Sequence, residues 1–272
     1  MTCLDTPARI TAASQPRPKG RISLVGAGPG AADLLTLRAL RCLGRADAVF
    51  YDRLVDPDLL DLARPGARRV FVGKETGAHP WPQARIDAAI VSAALQGDHV
   101  VRLKSGDPSV FGRAAEEIAA ARAHGIEVEI IPGITAASAA AACLGQPLTA
   151  RGETDRVVLA TATCQPGDPP PPVAELALPG TTLVFYMAMH RLDDLARGLI
   201  RAGLAPDQPV AVAANVSKPG QTCLHTTLAR MQPDCRAAAI SNPAVILIPI
   251  AKAPPPAAAR PARHRDTAPA LP

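Results

Sequence analysis

One carboxylate framed by small and rigid residues, in Lys104-Ser105-Gly106-Asp107-Pro108, makes this the stretch best equipped to hold a polar ligand. Gly106 can take backbone angles closed to other residues, Asp107 offers a carboxylate to a hydroxyl or an amine, and Pro108 fixes the turn. Three related groups stand upstream of it, Gly26-Ala-Gly-Pro-Gly30, Asp52-Arg53 and Gly73-Lys74. Each has a plain structural reading. Asp107 would cap a tight turn, Asp52 would cap a helix or pair with Arg53, and Lys74 would be a solvated turn residue. Their recurrence at one kind of position is what gives them weight.

That position is the end of a strand. Val100 to Lys104 is an apolar run with one long basic side chain, Arg102, and it stops abruptly at Ser105. Arg21–Gly26, Ala48–Tyr51, Arg69–Val72 and Val128–Ile131 read as strands of the same sheet. Helical patterns lie between them. Leu34, Leu37, Leu40 and Leu43 form one apolar stripe, and Asp56 and Pro57 start a short helix that Pro65-Gly66 ends. Ile86, Ile90 and Leu95 mark a helix closed by Gly97, and a further helix runs from near Arg113 to Gly125. Repeated β-α units predict a parallel sheet, and ligands collect at the carboxyl ends of such strands.

A helix of small residues from about Thr135 to Leu144 leads through Pro147 into a second set of elements. Its strands are expected at 157–160, 183–186, 210–213, 222–225 and 244–250, with a clear amphipathic helix over 191–202 and a Pro-rich surface loop over 165–172. The expected organisation is therefore a disordered tail over 1–20, an N-terminal α/β lobe over 21–134, a C-terminal α/β lobe over 135–252, and an Ala/Pro-rich disordered tail over 253–272.

Composition narrows the function classes. With 272 residues and 48% hydrophobic content the chain can bury a sizeable core, and 3% aromatic content leaves Leu, Ile, Val and Ala to pack it. The charge of +5 comes from 29 Lys and Arg against 24 Asp and Glu, and much of the excess sits near the ends, as at Arg17, Lys19, Arg260, Arg263 and Arg265. Nucleic-acid binding calls for a clustered basic face with stacking aromatics, and neither is visible. An anionic small substrate is the more economical partner. Six cysteines and six histidines are scattered without paired C-x-x-C spacing, so reduced thiols and no metal are expected. No apolar run reaches membrane-spanning length and the first residues lack a signal-peptide pattern, which makes a cytoplasmic protein the default expectation.

Gly26-x-Gly28-x-x-Ala31 between a strand and a helix, with Asp52 after the next strand, also fits a dinucleotide-binding pattern. A nicotinamide-binding oxidoreductase is thus an alternative from a different class. Pro29 counts against it, since it removes a backbone N–H from the loop that would cradle a pyrophosphate, and Ser105-Gly106-Asp107 has no part in that scheme.

Seven motifs in register carry a closer likeness: Gly26-Ala-Gly-Pro-Gly30, Tyr51-Asp-Arg-Leu-Val55, Val72-Gly-Lys74, Lys104-Ser-Gly-Asp-Pro108, Pro132-Gly-Ile-Thr-Ala136, Leu148-Thr-Ala-Arg-Gly152 and Phe185-Tyr-Met187. From about residue 22 to 250 the chain resembles the tetrapyrrole methylases. The resemblance implies a two-lobed α/β fold with the active-site cleft between the lobes, S-adenosylmethionine as methyl donor, and a homodimer. It further implies C-methylation of uroporphyrinogen III at C2 and C7 to give precorrin-2 for siroheme or cobalamin biosynthesis, with another precorrin methylase of the family as the alternative.

Carried over by motif, the resemblance places Pro29, Ser105, Gly106, Asp107, Val110, Thr135, Ala136, Met187, Val216 and Ala244 against the cofactor. It makes Asp52 the proton acceptor and Lys74 the proton donor. Uroporphyrinogen III carries carboxylates, for which Arg53, Arg113 and Arg151 are the candidate partners, because a guanidinium grips a carboxylate in a fork. His79 and Trp81 lie on a loop after Lys74 that could cover substrate. The chain departs from the family pattern at Ser105, where Gly is typical, at Ser109, where Phe is, at Thr163 and Cys164 in place of a Gly-His pair, and at Ala214-Asn215 in place of an acidic-basic pair.

Overall fold

A computed structural model describes residues 18–73, 81–162 and 173–252. They form two compact units. The first comprises the chain up to Ala139 together with Asn215–Gly220, and the second comprises Ala140–Ala214 and the chain from Gln221 onward. The sequence expectation divides the chain once, between 134 and 135. The return of six residues to the first unit has no compositional mark, because a short loop leaves no periodicity.

In the first unit the elements alternate: β1 (Arg21–Gly26), α1 (Leu37–Leu43), β2 (Ala48–Tyr51), β3 (Arg68–Phe71), α2 (Gln83–Leu95), β4 (His99–Lys104), α3 (Ala114–Ala123) and β5 (Glu127–Ile131), and α4 (Ala136–Cys143) passes from it into the second unit. The sheet order is β3-β2-β4-β1-β5, and every pairing is parallel. Parallel strands bury both faces, which is why β1 and β4 read as continuous apolar runs. Alternate residues feed two cores. Ile22, Leu24, Phe50 and Val100 pack with Ile86 and Ile90 of α2 and Ala121 of α3. Val25, Val49, Val101, Leu103 and Ile131 pack with Ala39 and Leu43 of α1 and with Leu59 and Leu60.

The expected stripe of leucines does not survive intact. Leu34 ends a separate 3-10 turn over Ala32–Leu34, and α1 starts only after Thr36, whose Oγ1 accepts from the Ala39 N–H at 3.2 Å. Restarting the helix there rotates its phase, so Ala39, Cys42 and Leu43 face the core while Leu37 is 69% exposed. The segment opened by Asp56 and Pro57 is likewise a 3-10 helix, Pro57–Leu62.

The second unit has a mixed sheet. Its elements are β6 (Arg156–Thr161), α5 (Val173–Leu176), β7 (Thr181–Tyr186), α6 (Leu192–Arg201), β8 (Pro209–Ala214), β9 (Thr222–Thr227), α7 (Met231–Ala237) and β10 (Ala244–Ile250). The order is β6-β7-β10-β8-β9; β6 and β7 are parallel, and β10 runs antiparallel to β7 and β8, as β8 does to β9. Leu183, Phe185, Leu199, Met231, Ile246 and Ile248 make its core. Helix α7 was not legible because Pro233 interrupts its pattern, yet in the first turn a proline removes no hydrogen bond. The expected loop over 165–172 and both expected tails beyond the folded part lie outside the described residues, apart from Pro18 to Gly20. Among the described residues no helix is long and apolar enough to cross a membrane.

Candidate active site

Because β4, β1 and β5 are neighbours in the sheet, the three loops that leave their carboxyl ends meet. Pairing continues past the strands: the Ala27 N–H donates to the Lys104 carbonyl at 2.7 Å, the Gly106 N–H to Gly28 O at 2.7 Å, and the Gly28 N–H to Gly106 O at 3.2 Å. Gly26, Gly106 and Gly133 come so close that a Cβ on Gly26 would lie 2.5 Å from Gly133 N, and one on Gly133 would overlap the Gly106 carbonyl. Asp107 then ties the β4 loop to the β5 loop. Its Oδ1 accepts from the Ser109 N–H at 2.8 Å and from the Ser109 hydroxyl, and its Oδ2 accepts from the Gly133 N–H at 3.0 Å. The structure thus gives Asp107 a bracing role that its sequence context did not reveal, and explains why a serine suits position 109.

Around this brace stand the other first-unit residues expected at a cofactor. Pro29 is buried, and Ser105, Val110, Thr135 and Ala136 are half-buried. Gly106 is buried with φ +71°, a backbone conformation that favours glycine, and a Cβ there would make ordinary van der Waals contact with Ala136 N at 3.8 Å, Thr135 Cα and Ile134 O. Small residues of this kind let a flat or extended ligand group approach the backbone closely, so these residues fit the cofactor the sequence implies. Val216 is buried on the returning segment. Beside it are two residues that the sequence did not single out. Ser217 Oγ accepts from the Ala31 N–H at 3.1 Å, and Lys218 Nζ donates to the Leu54 carbonyl at 2.5 Å while its stem covers Gly30. Burial lowers the Lys218 pKa, opposed by the charges of Asp56 and Asp52.

A buried charge network runs from the interior to Asp52. Glu117 of α3 is 1% exposed and accepts from Lys104 Nζ at 2.8 and 2.9 Å and from Arg102 Nε at 3.1 Å. Arg102 also reaches the Asp52 Oδ2 at 3.2 Å and the Leu103 carbonyl at 2.9 Å. Asp52 Oδ1 accepts from the Leu54 N–H at 3.0 Å, which fixes the carboxylate at the end of β2 with its side chain 29% exposed. Burial, then the adjacent Arg102 charge, lowers the Lys104 pKa against the pull of Glu117. The basic side chain visible in the β4 run is thus the hub of this network, and Glu117 could have been suspected only as an acid at an inward position of α3.

Arg53 is exposed next to Asp52. Arg113 caps α3 with φ +56° and is engaged on the surface by Glu116, at 2.8 and 2.5 Å. Lys74 and His79 lie outside the described residues. Trp81 is half-buried against the α2 core, with the Arg85 guanidinium 3.9 Å from its ring centroid. In the second unit, Met187 follows β7 with φ +54° and is 43% exposed, Ala244 is buried at the start of β10, and Arg151 is exposed. Non-glycine residues at positive φ include Phe111, Arg113, Met187, Asn215 and Ser217, each within a few residues of an expected contact. Strain of this kind concentrates where a binding surface is being shaped.

Residues 21–232 match the family described as Tetrapyrrole (Corrin/Porphyrin) Methylases. The chain belongs to the tetrapyrrole methylases. Membership bears out the expected α/β fold and an S-adenosylmethionine-dependent methyltransferase. A siroheme synthase of Psychrobacter sp. is 43% identical over 235 residues, which cover 86% of this chain and 48% of the relative. A siroheme synthase of Gluconacetobacter diazotrophicus is 45% identical over 230 residues, 84% of this chain and 49% of the relative. The chain therefore spans about half the length of these curated relatives. Among solved structures, the uroporphyrin-III C-methyl transferase of Thermus thermophilus in complex with S-adenyl homocysteine is 36% identical, with a TM-score of 0.71 over 85% of this chain and 92% of that one. A cobalt precorrin-4 methyltransferase is 28% identical, with a TM-score of 0.74 over 84% of this chain and 94% of that one.

For a tetrapyrrole methylase the nicotinamide reading falls away on structural grounds as well. The glycine loop after β1 is occupied by pairing with the β4 loop, and β4 lies between β1 and β2, where the dinucleotide-binding order would make those two strands neighbours. Two side-chain groupings in this methylase were invisible in the sequence spacing. Donor atoms of Cys42, His99 and Glu129 lie within 4.8 Å of one another, linked through Ser23, whose hydroxyl is 2.9 Å from His99 Nε2 and donates to Glu129 at 2.7 Å. Cys143 and Cys223, eighty positions apart in the chain, bring their sulfurs to 3.3 Å. Cys42 and Cys235 are buried, as expected of core thiols.

Proposed function

We propose that this chain transfers methyl groups from S-adenosylmethionine to C2 and C7 of uroporphyrinogen III, giving precorrin-2 for siroheme or cobalamin biosynthesis. The observation that carries the reading is the 36% identity to a uroporphyrin-III C-methyl transferase over 85% of the chain, on a fold whose β1, β4 and β5 carboxyl-end loops meet around Gly106. Pro29, Ser105, Gly106, Asp107, Val110, Thr135, Ala136 and Val216 of the first unit, with Met187 and Ala244 of the second, form the cofactor surface in this reading. Asp107 acts there by holding two loops in register. Arg53, Arg113 and Arg151 receive substrate carboxylates, and Arg113 exchanges its Glu116 partner for one of them. The working protein in this reading is a cytoplasmic homodimer.

When bound, S-adenosylmethionine supplies a methyl on a sulfonium that an electron-rich pyrrole carbon can attack without a covalent enzyme intermediate. The chain's own tasks are alignment and the transfer of one proton. Asp52 suits the acceptor role, since the Arg102 guanidinium and the Leu54 N–H orient its carboxylate and it keeps a partly open face. Lys74 is the donor in this scheme. The test is anaerobic incubation with uroporphyrinogen III and methyl-labelled S-adenosylmethionine, followed by mass analysis of the oxidised product. Two added methyls are expected. Asp52→Asn is expected to lower turnover by about 10²–10⁴-fold with cofactor affinity retained, and no transfer by the wild-type protein despite cofactor binding sinks the assignment to uroporphyrinogen III.

A further inference from the structure

The Cys143–Cys223 pair plays no part in the chemistry above. Cys143 is the last residue of α4 and Cys223 the second of β9, and both belong to the second unit. Their sulfurs are 3.3 Å apart, closer than two unbonded atoms of that size rest without a shared hydrogen, and both are free thiols. The two differ in setting. Cys223 is exposed. Cys143 is half-buried, its thiol donates to the Ala140 carbonyl at 3.2 Å, and its pKa is pushed up to about 12 by burial first and then by the hydrogen bond and charge of Cys223.

We propose that Cys143 and Cys223 are a reversible dithiol–disulfide site, oxidised by low-molecular-weight disulfides of the glutathione class. In the first step the Cys223 thiolate attacks one sulfur of the oxidant R–S–S–R, forming a Cys223–S–S–R mixed disulfide and releasing R–S⁻. Capping Cys223 removes the partner that helps hold the Cys143 proton. In the second step Cys143 loses that proton and attacks Cys223 Sγ, forming the intramolecular bond and expelling the second R–S⁻. Two electrons pass from the cysteine pair to the oxidant, and the two thiol protons end on the two released thiolates. The sulfurs have only about 1.3 Å left to close, a distance side-chain rotation can supply.

Closure pins the end of α4 to β9. The first residue of α4 is Ala136, next to Thr135, and β9 begins shortly after the loop that carries Val216. On the cofactor reading made above, the bond therefore joins the two elements that lead away from expected cofactor contacts, and it changes cofactor affinity.

The experiment treats the reduced full-length protein with oxidised glutathione, traps free thiols, and maps linkages by peptide mass spectrometry. A Cys143–Cys223 peptide lacking two hydrogens is expected, reversible by dithiothreitol and absent from Cys143→Ser and Cys223→Ser. The bond should raise Tm by about 5 °C, as expected for closing a long loop. Persistent free thiols at both positions, or linkage of either to another cysteine, overturns the proposal. S-adenosylhomocysteine affinity is then compared by calorimetry between the two forms, with a change of about fivefold expected. Equal affinity overturns the coupling to the cofactor, whereas failure of the reduced protein to bind at all overturns the cofactor reading and leaves the disulfide result standing.

Discussion

The two units bury different things. In the first, Arg102, Lys104 and Glu117 are almost wholly enclosed beneath an all-parallel sheet, while in the second the buried polar residues among those described are threonines and the core is aliphatic, with Phe185 and Met231. A parallel sheet brings every strand out at the same edge, so loops of different strands can be braced against one another there. In the mixed second sheet, β6 and β7 run parallel while β7, β10, β8 and β9 alternate in direction and leave at opposite edges. The comparison teaches where precision is costly in this methylase. Buried ions hold the Asp52 carboxylate at a strand end in the first unit, and apolar side chains pack the second.

The sharpest way to break that contrast is at Glu117. Glu117→Gln leaves Lys104 buried without its counter-charge and Arg102 with Asp52 alone, and breaking a buried ion cluster by removing one partner costs about 3–5 kcal/mol. Urea unfolding should show that loss, and methyl transfer should fall along with it, because Arg102, which orients Asp52, loses the charged partner of its Nε. A loss below about 1 kcal/mol, the range of an exposed pair, would falsify the view that this network is structurally demanding.

A smaller effect is expected where the loops meet. Gly133→Ala drives a methyl into the Gly106 carbonyl, which is backbone and cannot rotate away. Overpacking of this kind costs about 1–3 kcal/mol. Its signature is local: S-adenosylhomocysteine affinity should fall further than stability does. An equal loss in cofactor affinity after a truncation in the Phe185 core would erase the difference between the units.

These two positions also show what the sequence could and could not disclose. The strands were legible because apolar runs and turn residues have local causes, and so was the shared carboxyl edge, since it follows from β-α alternation. Asp52, Gly106 and Asp107 stood out by type and by place. Glu117 did not, because its importance depends on the two cations of β4, 15 and 13 residues earlier, which meet it only once α3 packs back on the sheet. Ser217 and Lys218 escaped notice for the same reason: they join the first unit by a tertiary return that no period encodes. The α1 stripe misled because hydrophobic spacing was read across a break that only the Thr36 cap defines.

The weakest expected effect belongs to the second unit's surface, and its direction is fixed by a pKa. The Thr226 hydroxyl, and after it the Arg230 guanidinium, hold the Asp234 carboxyl below its ordinary value of 3.8. Folding therefore favours the ionised form. The stabilising contribution is complete above pH 3.8 and disappears as pH falls through the lower folded value. Asp234→Asn should then lower Tm slightly at neutral pH, and the gap from wild type should close in more acidic buffer. Because the Arg230 partner is 68% exposed, added salt should narrow the gap at neutral pH too. The Glu117→Gln loss, set in a dry interior, should persist in the same salt, and it is this opposite response that separates the two units by experiment.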